Sequence, residues 1–269
     1  MPKIITIGNQ KGGVSKTTST VNLSDALGRD GYKVLVIDAD PQGNSTSILM
    51  KEIGLREQFS LVNALDAPIG EGSISSVACI TSNDNVEIVP NTIKCMEWER
   101  KTASTPDAIL GFQRLINGDE GIKKFDFIII DTPPNIGSMV HNSLMISDYI
   151  IIPIPTSDQF ALDGLTTFLK IIQRIRIQND NLKLLGVLLT KYDSRAKIYK
   201  KNSQKIQDFF INKNINVFKT IIRINVDLDK AHMKRKTIFE FDPNKYGAQD
   251  YRALAKEVVS IVKAEETES

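Results

Sequence analysis

The chain contains six short runs of apolar residues. Each is continuous in hydrophobic residues rather than alternating, and β-branched residues dominate most of them. Continuous runs of this length are typical of strands buried on both faces, as in a parallel sheet. The predicted strands cover residues 3–8, 33–38, 86–90, 125–131, 148–154 and 182–190, and residues 217–222 are a candidate edge strand.

Helical patterns lie between these runs. Strands that alternate with helices predict a doubly wound α/β fold, with a mostly parallel sheet flanked by helices. The end of the chain predicts an amphipathic closing helix, with Tyr251, Leu254, Val258 and Val262 on one side. Other predicted helices cover residues 16–29, 107–117, 138–146, 159–178 and 194–211.

Residues 51–124 have the least regular pattern and include the lone tryptophan, Trp98. We interpret this segment as connecting structure within a single domain that spans residues 1–269. The chain of 269 residues, 41% hydrophobic and 25% charged, has the composition of an ordinary globular protein.

Composition excludes several classes of protein. Two cysteines without Cys-x-x-Cys spacing argue against a disulfide framework or a metal cluster, and two histidines are too few for a His-rich metal site. The chain starts without a signal-peptide pattern, and none of its apolar runs approaches the length that spans a bilayer. The expected location is therefore the cytoplasm.

The net charge of +2 conceals an uneven distribution. Residues 183–236 contain 14 Lys and Arg against 4 Asp, a net charge of +10, so the rest of the chain carries −8. Such a segment is either a solvated lysine-rich face or an anion-binding surface, with nucleic acid as the foremost anion.

The segment GNQKGGVSKTTST, residues 8–20, joins the first predicted strand to the first predicted helix. Strand, glycine-containing loop and helix N-terminus form the context in which backbone N–H groups converge on phosphate. In such a loop Lys16 would reach the β- and γ-phosphates, and the Thr17 hydroxyl would bind Mg²⁺. The segment therefore predicts a nucleotide site.

This loop departs from the pattern G-x-x-x-x-G-K-[ST] at two positions. Gln10 and Ser15 stand where the pattern has glycine, six residues before Lys16 and immediately before it. Ser15 is small, although a positive φ there would cost about 1 kcal/mol. A second lysine, Lys11, is present that the phosphate pattern does not require.

Two further strands end in carboxylates, at the sheet edge where α/β proteins bind ligands. Asp38 and Asp40 follow the second predicted strand; Asp40 is the better candidate for orienting an attacking water, and Asp38 could equally brace the loop. Asp131 ends the run FDFIIID, as a Walker B aspartate of the Mg²⁺ shell does.

Together these stretches resemble the ParA family of partition ATPases, which includes the MinD-like proteins. The resemblance covers essentially the whole chain. It implies a P-loop NTPase fold with a deviant Walker A loop, ATP hydrolysis with ATP and Mg²⁺ as cofactors, and an ATP-dependent homodimer. It also implies nonspecific DNA binding on the nucleoid and a ParB-type partner. The matching stretches are NQKGGVSKTT, VLVIDADPQGN, FIIIDTPP, GVLLTKYDSR and FDPNKYGAQDYRALAKEV.

The resemblance also implies roles for individual residues. Lys11 matches the lysine that reaches the partner subunit's nucleotide, Asp40 the water-activating aspartate, and Asp131 the Walker B aspartate. The expected catalytic residues are Lys11, Lys16 and Asp40, and the expected metal site comprises Thr17, Asp40 and Asp131. The expected nucleotide contacts are Lys11, Gly12, Gly13, Val14, Ser15, Lys16, Thr17 and Thr18.

Basic residues of the later segment are the candidates for DNA contacts. Three lysines at i, i+4 and i+8 line one face of the helix predicted over 194–211, and its apolar residues Ile198, Ile206, Phe209 and Phe210 can pack inward. Lysines on phosphates give salt-sensitive, sequence-independent affinity. The expected DNA contacts, including those implied by the resemblance, are Arg195, Lys197, Lys201, Lys205, Arg223, Lys234, Arg235 and Lys236.

The chain departs from the family after VFKTII. The family usually has Pro-Arg-Asn there, near the adenine, and its arginine binds DNA; this chain has Arg223, Ile224 and Asn225. DNA contacts are therefore expected to shift towards the cluster of Lys234, Arg235 and Lys236. Since the chain starts at its first strand, we expect the short form without an N-terminal helix-turn-helix domain.

Three alternatives remain. A MinD-like ATPase would bind membrane through a basic amphipathic tail, whereas this chain ends in the acidic KAEETES. A biosynthetic ligase or reductase on the same loop would need a substrate pocket or cluster cysteines. A DNA-binding protein with a vestigial loop would have no need for Lys11, Lys16, Asp40 and Asp131 together.

Overall fold

A seven-stranded sheet forms the centre of the computed structural model, which describes residues 1–158, 162 and 165–268. The strand order is β3-β4-β2-β5-β1-β6-β7, and all neighbours are parallel except β3, which pairs antiparallel with β4. The strands are β1 (Lys3–Ile7), β2 (Val34–Asp38), β3 (Cys79–Ile80), β4 (Val86–Val89), β5 (Phe127–Asp131), β6 (Tyr149–Pro155) and β7 (Lys183–Thr190).

Eleven helices are assigned within the described residues. They are α1 (Lys16–Arg29), α2 (Asn44–Leu49), α3 (Leu61–Asp66), α4 (Lys94–Thr102), α5 (Asp107–Ile116), α6 (Ser138–Ile146), α7 (Leu165–Ile175), α8 (Lys197–Ile211), α9 (Val226–Met233), α10 (Ile238–Phe241) and α11 (Tyr246–Glu268). Among the residues described, no helix is both long enough and apolar enough to cross a membrane.

Apolar clusters cover both faces of the sheet. On one face, α1 and α11 pack together against β1 and β2, and the residues predicted for the buried side of the closing helix are in contact with this core. Tyr251, Leu254 and Val258 are fully buried, which confirms the predicted amphipathic helix. The other face is covered by α3 to α8, so the fold is doubly wound as predicted.

The six continuous apolar runs are all strands, with bounds within two residues of the prediction. The candidate edge strand at 217–222 is not a strand: only an isolated bridge joins Val217 to Val187 of β7. The helix predicted over 159–178 is confirmed as α7 in its later part, while residues 159–161 and 163–164 lie outside the described structure.

The region 51–124 is more structured than the sequence pattern indicates. Besides β4 and α5 it contains β3, α3 and α4, and Trp98 of α4 is buried against the core.

The parallel register of the central strands sets the geometry of the site. Asp38 at the end of β2 pairs with Asp131 at the end of β5, and Asp131 also pairs with Ile7 of β1. Three strands therefore deliver their carboxyl ends to one point.

Candidate nucleotide-binding site

The loop between β1 and α1 is fastened to the neighbouring strand β6. The N–H of Gly8 donates to Ile151, and the side-chain amide of Asn9 donates to the carbonyl of Pro153 over 2.9 Å. The Asn9 side-chain oxygen in turn accepts from the backbone N–H of Lys11 over 3.0 Å. Asn9 is thus an anchor of the loop, which the sequence analysis did not identify because no phosphate-loop pattern requires it.

Ser15 adopts the backbone conformation that glycine favours. Its φ of 75° and ψ of 29° lie in the left-handed region, as does the φ of 71° of Gly13. This turn leads directly into α1, at the helix end where free N–H groups attract anions. The strain expected for a positive φ is therefore present at Ser15, at about 1–2 kcal/mol.

Lys16 lies in the first turn of α1 and is 7% exposed. Its ammonium donates to the carbonyl of Lys11 over 3.1 Å, so the side chain folds back across the loop. Burial lowers the pKa of Lys16, while the nearby carboxylates Asp131 and Asp40 act to raise it. A poorly hydrated ammonium at the bottom of a loop is well placed to pair with phosphate.

Asp131 is fully buried at the base of the site. Its carboxylate accepts hydrogen bonds from the hydroxyls of Ser45 (2.7 Å) and Thr20 (3.3 Å). Burial raises the pKa of Asp131 to about 6, against the lowering effect of the Ser45 and Thr17 hydroxyls. The predicted metal-site residues Thr17 and Asp131 are therefore close enough for the Thr17 hydroxyl to influence the carboxylate.

Asp38 braces the loop that carries Asp40. One oxygen accepts from the backbone N–H and hydroxyl of Thr46, over 2.8 and 2.7 Å, and the other accepts from the N–H of Asp40. Burial, followed by the charge of Asp131, raises the pKa of Asp38 to about 7. Every contact of Asp38 is internal, which favours the bracing role over a direct role at the phosphates.

Asp40 lines the cavity beside the loop, although it is only 7% exposed. Its carboxylate accepts from the N–H of Gln42 over 2.9 Å, in the turn before α2. Asp38, the last residue of β2, hydrogen-bonds to the backbone and side chain of the following turn, whereas Asp40, two residues beyond the end of the strand, lines the cavity. This is the arrangement that a water-orienting carboxylate needs.

A cavity of about 610 Å³ extends from this loop to the end of β7. The phosphate-loop residues Gly12, Gly13 and Ser15 to Thr18 line one part of it, together with Asp40. The remaining wall is formed by Gln42, Asn44, Pro134, Lys191, Ile222, Arg223, Ile224, Asn225, Leu228, Asp229 and Tyr251. The cavity combines a phosphate-binding end with a partly apolar end suited to a base.

The oxygen ligands present fit Mg²⁺. Within the described residues no group of three or more His, Cys, Asp or Glu side chains is arranged to hold a metal ion by itself. Mg²⁺ typically takes one or two carboxylates and completes its shell with phosphates and water. Thr17, Asp131 and Asp40 therefore suit a nucleotide-bound Mg²⁺ rather than a dedicated metal cage.

The chain matches the family described as AAA domain over residues 2–185. It is 36% identical to the sporulation initiation inhibitor protein Soj of Bacillus subtilis over 262 residues, 97% of this chain and 99% of that protein. It is 34% identical to the chromosome-partitioning ATPase Soj of Thermus thermophilus over 259 residues, 96% of each.

The chain belongs to the ParA family of partition ATPases. As a member of this family it is an ATPase with the ParA/MinD type of P-loop fold.

Solved structures agree with this fold. Cobyrinic acid a,c-diamide synthase of Mycobacterium smegmatis, with ADP and magnesium bound, has a TM-score of 0.80 at 27% identity, covering 98% of this chain and 96% of that one. A plasmid partition protein of Borrelia burgdorferi bound to AMPPNP has a TM-score of 0.77 at 26% identity, covering 98% and 100%. Both neighbours hold an adenine nucleotide or its analogue.

Lys11, the additional lysine of the ParA-type loop, lies at the surface. Its side chain is 44% exposed and its ammonium forms an ion pair with Asp158, shortly after β6. The two lysines therefore differ in placement: Lys16 folds back onto the loop, whereas Lys11 pairs with Asp158 at the surface.

The predicted DNA contacts fall into two exposed groups and one outlier. Lys197, Lys201 and Lys205 lie exposed along α8, and Arg195 precedes them, in a bidentate pair with Asp193. Lys234, Arg235 and Lys236 are exposed after α9. Arg223 belongs to neither group because it lines the nucleotide cavity.

The apolar side of α8 differs from the prediction at one residue. Ile206 and Phe210 are buried and Phe209 packs partly against the same cluster, but Ile198 is 54% exposed. The buried face instead includes Asn202, whose amide donates to the carbonyl of Thr156 over 3.0 Å. The prediction for Ile198 was wrong because the first turn of α8 extends beyond the core.

Proposed function

We propose that this protein is a ParA-type ATPase of plasmid or chromosome partition, acting as an ATP-dependent dimer on nonspecific DNA. A ParB-type partner stimulates its hydrolysis. The observation that carries the proposal is that Lys16 and Asp40 line one cavity, with the carboxylate of Asp131 buried close to Lys16, while a second lysine, Lys11, is exposed at the surface. The chromosome-partitioning ATPase Soj of Thermus thermophilus matches 96% of this chain.

In this proposal ATP occupies the cavity with its phosphates on residues 12–18. Lys16 would leave the carbonyl of Lys11 and pair with the β- and γ-phosphates. Thr17 and Asp131 would hold Mg²⁺, which when bound neutralises charge on the phosphates. Asp40, with its backbone N–H fixed by Asp38, would orient the attacking water for in-line transfer.

Lys11 supports a dimer in which each subunit completes the other's site. An ammonium supplied from a second subunit adds positive charge at the phosphates only when two ATP-bound subunits meet. ATP would then hold the dimer together, and hydrolysis would loosen it. The exposure of Lys11 on this surface is compatible with that role.

The basic residues of α8 support DNA binding without sequence specificity. Three lysines spaced by four residues form one exposed row, and each phosphate they neutralise would release counterions. Lys234, Arg235 and Lys236 would extend the contact. We further propose that residues 1–269 act as one domain, in the cytoplasm and associated with the nucleoid.

Alternative functions of this protein have less support. The synthase of M. smegmatis shares the fold at 27% identity, whereas the chromosome-partitioning ATPase Soj of Thermus thermophilus is 34% identical over 96% of this chain.

Measurements of ATP turnover with Mg²⁺ test the proposal. We expect duplex DNA of unrelated sequence, together with a ParB-type protein, to stimulate turnover, and Lys16→Ala to abolish it. Lys33→Ala, an exposed lysine at the opposite end of the sheet, is the matched control and should behave as wild type. Turnover that responds to anionic liposomes but not to DNA would overturn the proposal in favour of the membrane reading.

A further inference from the structure

Arg223 lies between β7 and α9, and its guanidinium is fixed by α11. The Nε and Nη2 groups donate to the carboxylate of Asp250 over 3.0 and 2.5 Å, and the backbone N–H of Arg223 donates to the same carboxylate. Asp250 is only 7% exposed, whereas the side chain of Arg223 is 38% exposed, so the carboxylate is shielded from water and the guanidinium remains partly open to the cavity. Bidentate, partly buried pairs of this kind hold a guanidinium in one orientation.

An aromatic ring supports the same guanidinium. The central carbon of the Arg223 guanidinium lies 4.3 Å from the ring centroid of Tyr246, the first residue of α11. Within the part of the chain that the structure describes, no residue accepts a hydrogen bond from the Arg223 Nη1 group. The flat, charged guanidinium of Arg223 is therefore held in one place, and the two N–H bonds of its Nη1 group are available to a ligand.

The position of Arg223 in the cavity indicates what those donors face. Arg223 lines the cavity together with Ile222 and Leu228, on the part of the wall that the phosphate-loop residues do not form. When the phosphates of a nucleotide occupy residues 12–18, its base extends towards this wall. Guanidinium planes stack on nucleobases and donate hydrogen bonds to their ring nitrogens.

We propose that Arg223, held by Asp250 and Tyr246, is the residue that positions the purine base of ATP in this protein. The proposal rests on the nucleotide site described above and deepens it. Because Asp250 and Tyr246 fix the guanidinium before ligand binds, little side-chain entropy is lost on stacking. Arg223 is consequently assigned to the nucleotide and not to DNA.

Binding of two probes without DNA tests this assignment. We expect Arg223→Ala to weaken ATP binding about tenfold, as for loss of one stacked base contact, and to leave the affinity for inorganic tripolyphosphate unchanged. The matched control is Arg252→Ala on α11. The guanidinium of Arg252 lies over the ring of Phe239, and Arg252 is not among the residues that line the cavity. This variant should leave both affinities as in wild type.

Two outcomes would overturn the assignment: unchanged affinity for ATP, or an equal loss of affinity for ATP and tripolyphosphate. The second would mean that Arg223 only supports the fold. If Arg223→Ala unfolds, Arg223→Gln replaces it, because this variant retains an amide donor for Asp250 but lacks the charged plane. Either of the two outcomes above would then overturn the assignment when measured with Arg223→Gln. DNA-stimulated turnover, measured separately, decides the partition proposal independently of these affinities.

Discussion

Lys11 and Asp158 form an ion pair between the phosphate loop and the segment after β6. Lys11 has to leave this pair before it can reach a second subunit. With side-chain exposures of 44% and 22%, the pair is worth about 1 kcal/mol or less, so release costs little. The pair therefore holds Lys11 without preventing its movement.

The first prediction concerns this lysine. Lys11→Ala should leave ATP binding by the monomer largely intact and abolish ATP-dependent dimers, because the charge supplied to the other subunit is lost. Size-exclusion chromatography with light scattering in the presence of ATP and Mg²⁺ measures this. Normal dimers in Lys11→Ala would refute the role of Lys11 in the opposite site.

The reciprocal variant is Asp158→Asn, which removes the carboxylate that Lys11 pairs with. Because that pair is weak, dimerisation should become stronger by about fivefold or less. Dimers that are lost in Asp158→Asn would show that Asp158 itself contributes to the dimer interface.

The second prediction concerns the strained loop. Ser15→Gly should stabilise the protein slightly, by about 0.5 kcal/mol, since it removes about 1–2 kcal/mol of left-handed strain and adds about 0.5–1 kcal/mol of chain entropy cost. Ser260→Gly in the exposed interior of α11 is the matched control, and it should destabilise by about 0.5 kcal/mol. Urea denaturation compares the two; equal losses of stability would contradict strain at Ser15.

The third prediction follows from the buried carboxylates. The pKa values of Asp38 and Asp131 are raised to about 7 and about 6, so the folded protein binds more protons than the unfolded chain between about pH 4 and pH 7. Their contribution to stability is therefore present at pH 4 and is lost as the pH rises towards 7. Without nucleotide, Asp131→Asn should be more stable than wild type at pH 7.5, by about 1–3 kcal/mol.

Thermal unfolding from pH 4 to pH 7.5 measures this difference. The difference in stability between Asp131→Asn and wild type should decrease towards pH 4, where Asp131 of the wild type is protonated and uncharged. Asp84→Asn, at an exposed turn, is the control and should show no such pH-dependent difference. A difference between Asp131→Asn and wild type that does not change with pH would contradict the raised pKa of Asp131.

The parts of this structure that follow a local rule were predictable from sequence. Continuous β-branched runs fixed the positions of six strands, and the parallel arrangement then brought Asp38 and Asp131 side by side. Contacts that depend on packing between distant segments were not predictable. Arg223 and Asp250 are 27 residues apart and meet only because α11 packs beside the end of β7.

Short or atypical elements were also missed for physical reasons. β3 has two residues and pairs at the sheet edge, too short for an apolar pattern. The side-chain amide of Asn9 donates a hydrogen bond to the backbone of β6, and the periodicity of apolar residues in the sequence cannot predict such a contact. Ile198 follows the helical spacing correctly, but the core ends before it.

The fourth prediction tests the proposed DNA surface along α8. Lysines that contact phosphates release counterions, so each lost contact should reduce the slope of log K against log salt by about 0.9. The triple change of Lys197, Lys201 and Lys205 to Ala should therefore weaken binding to unrelated duplexes alike and lower the slope by about 2–3. A matched triple of exposed lysines, Lys33, Lys51 and Lys256 to Ala, changes the net charge equally and should keep the wild-type slope. Fluorescence anisotropy over a salt series, with ATP present, measures both; equal slopes for the two triples would mean that net charge rather than α8 attracts the DNA.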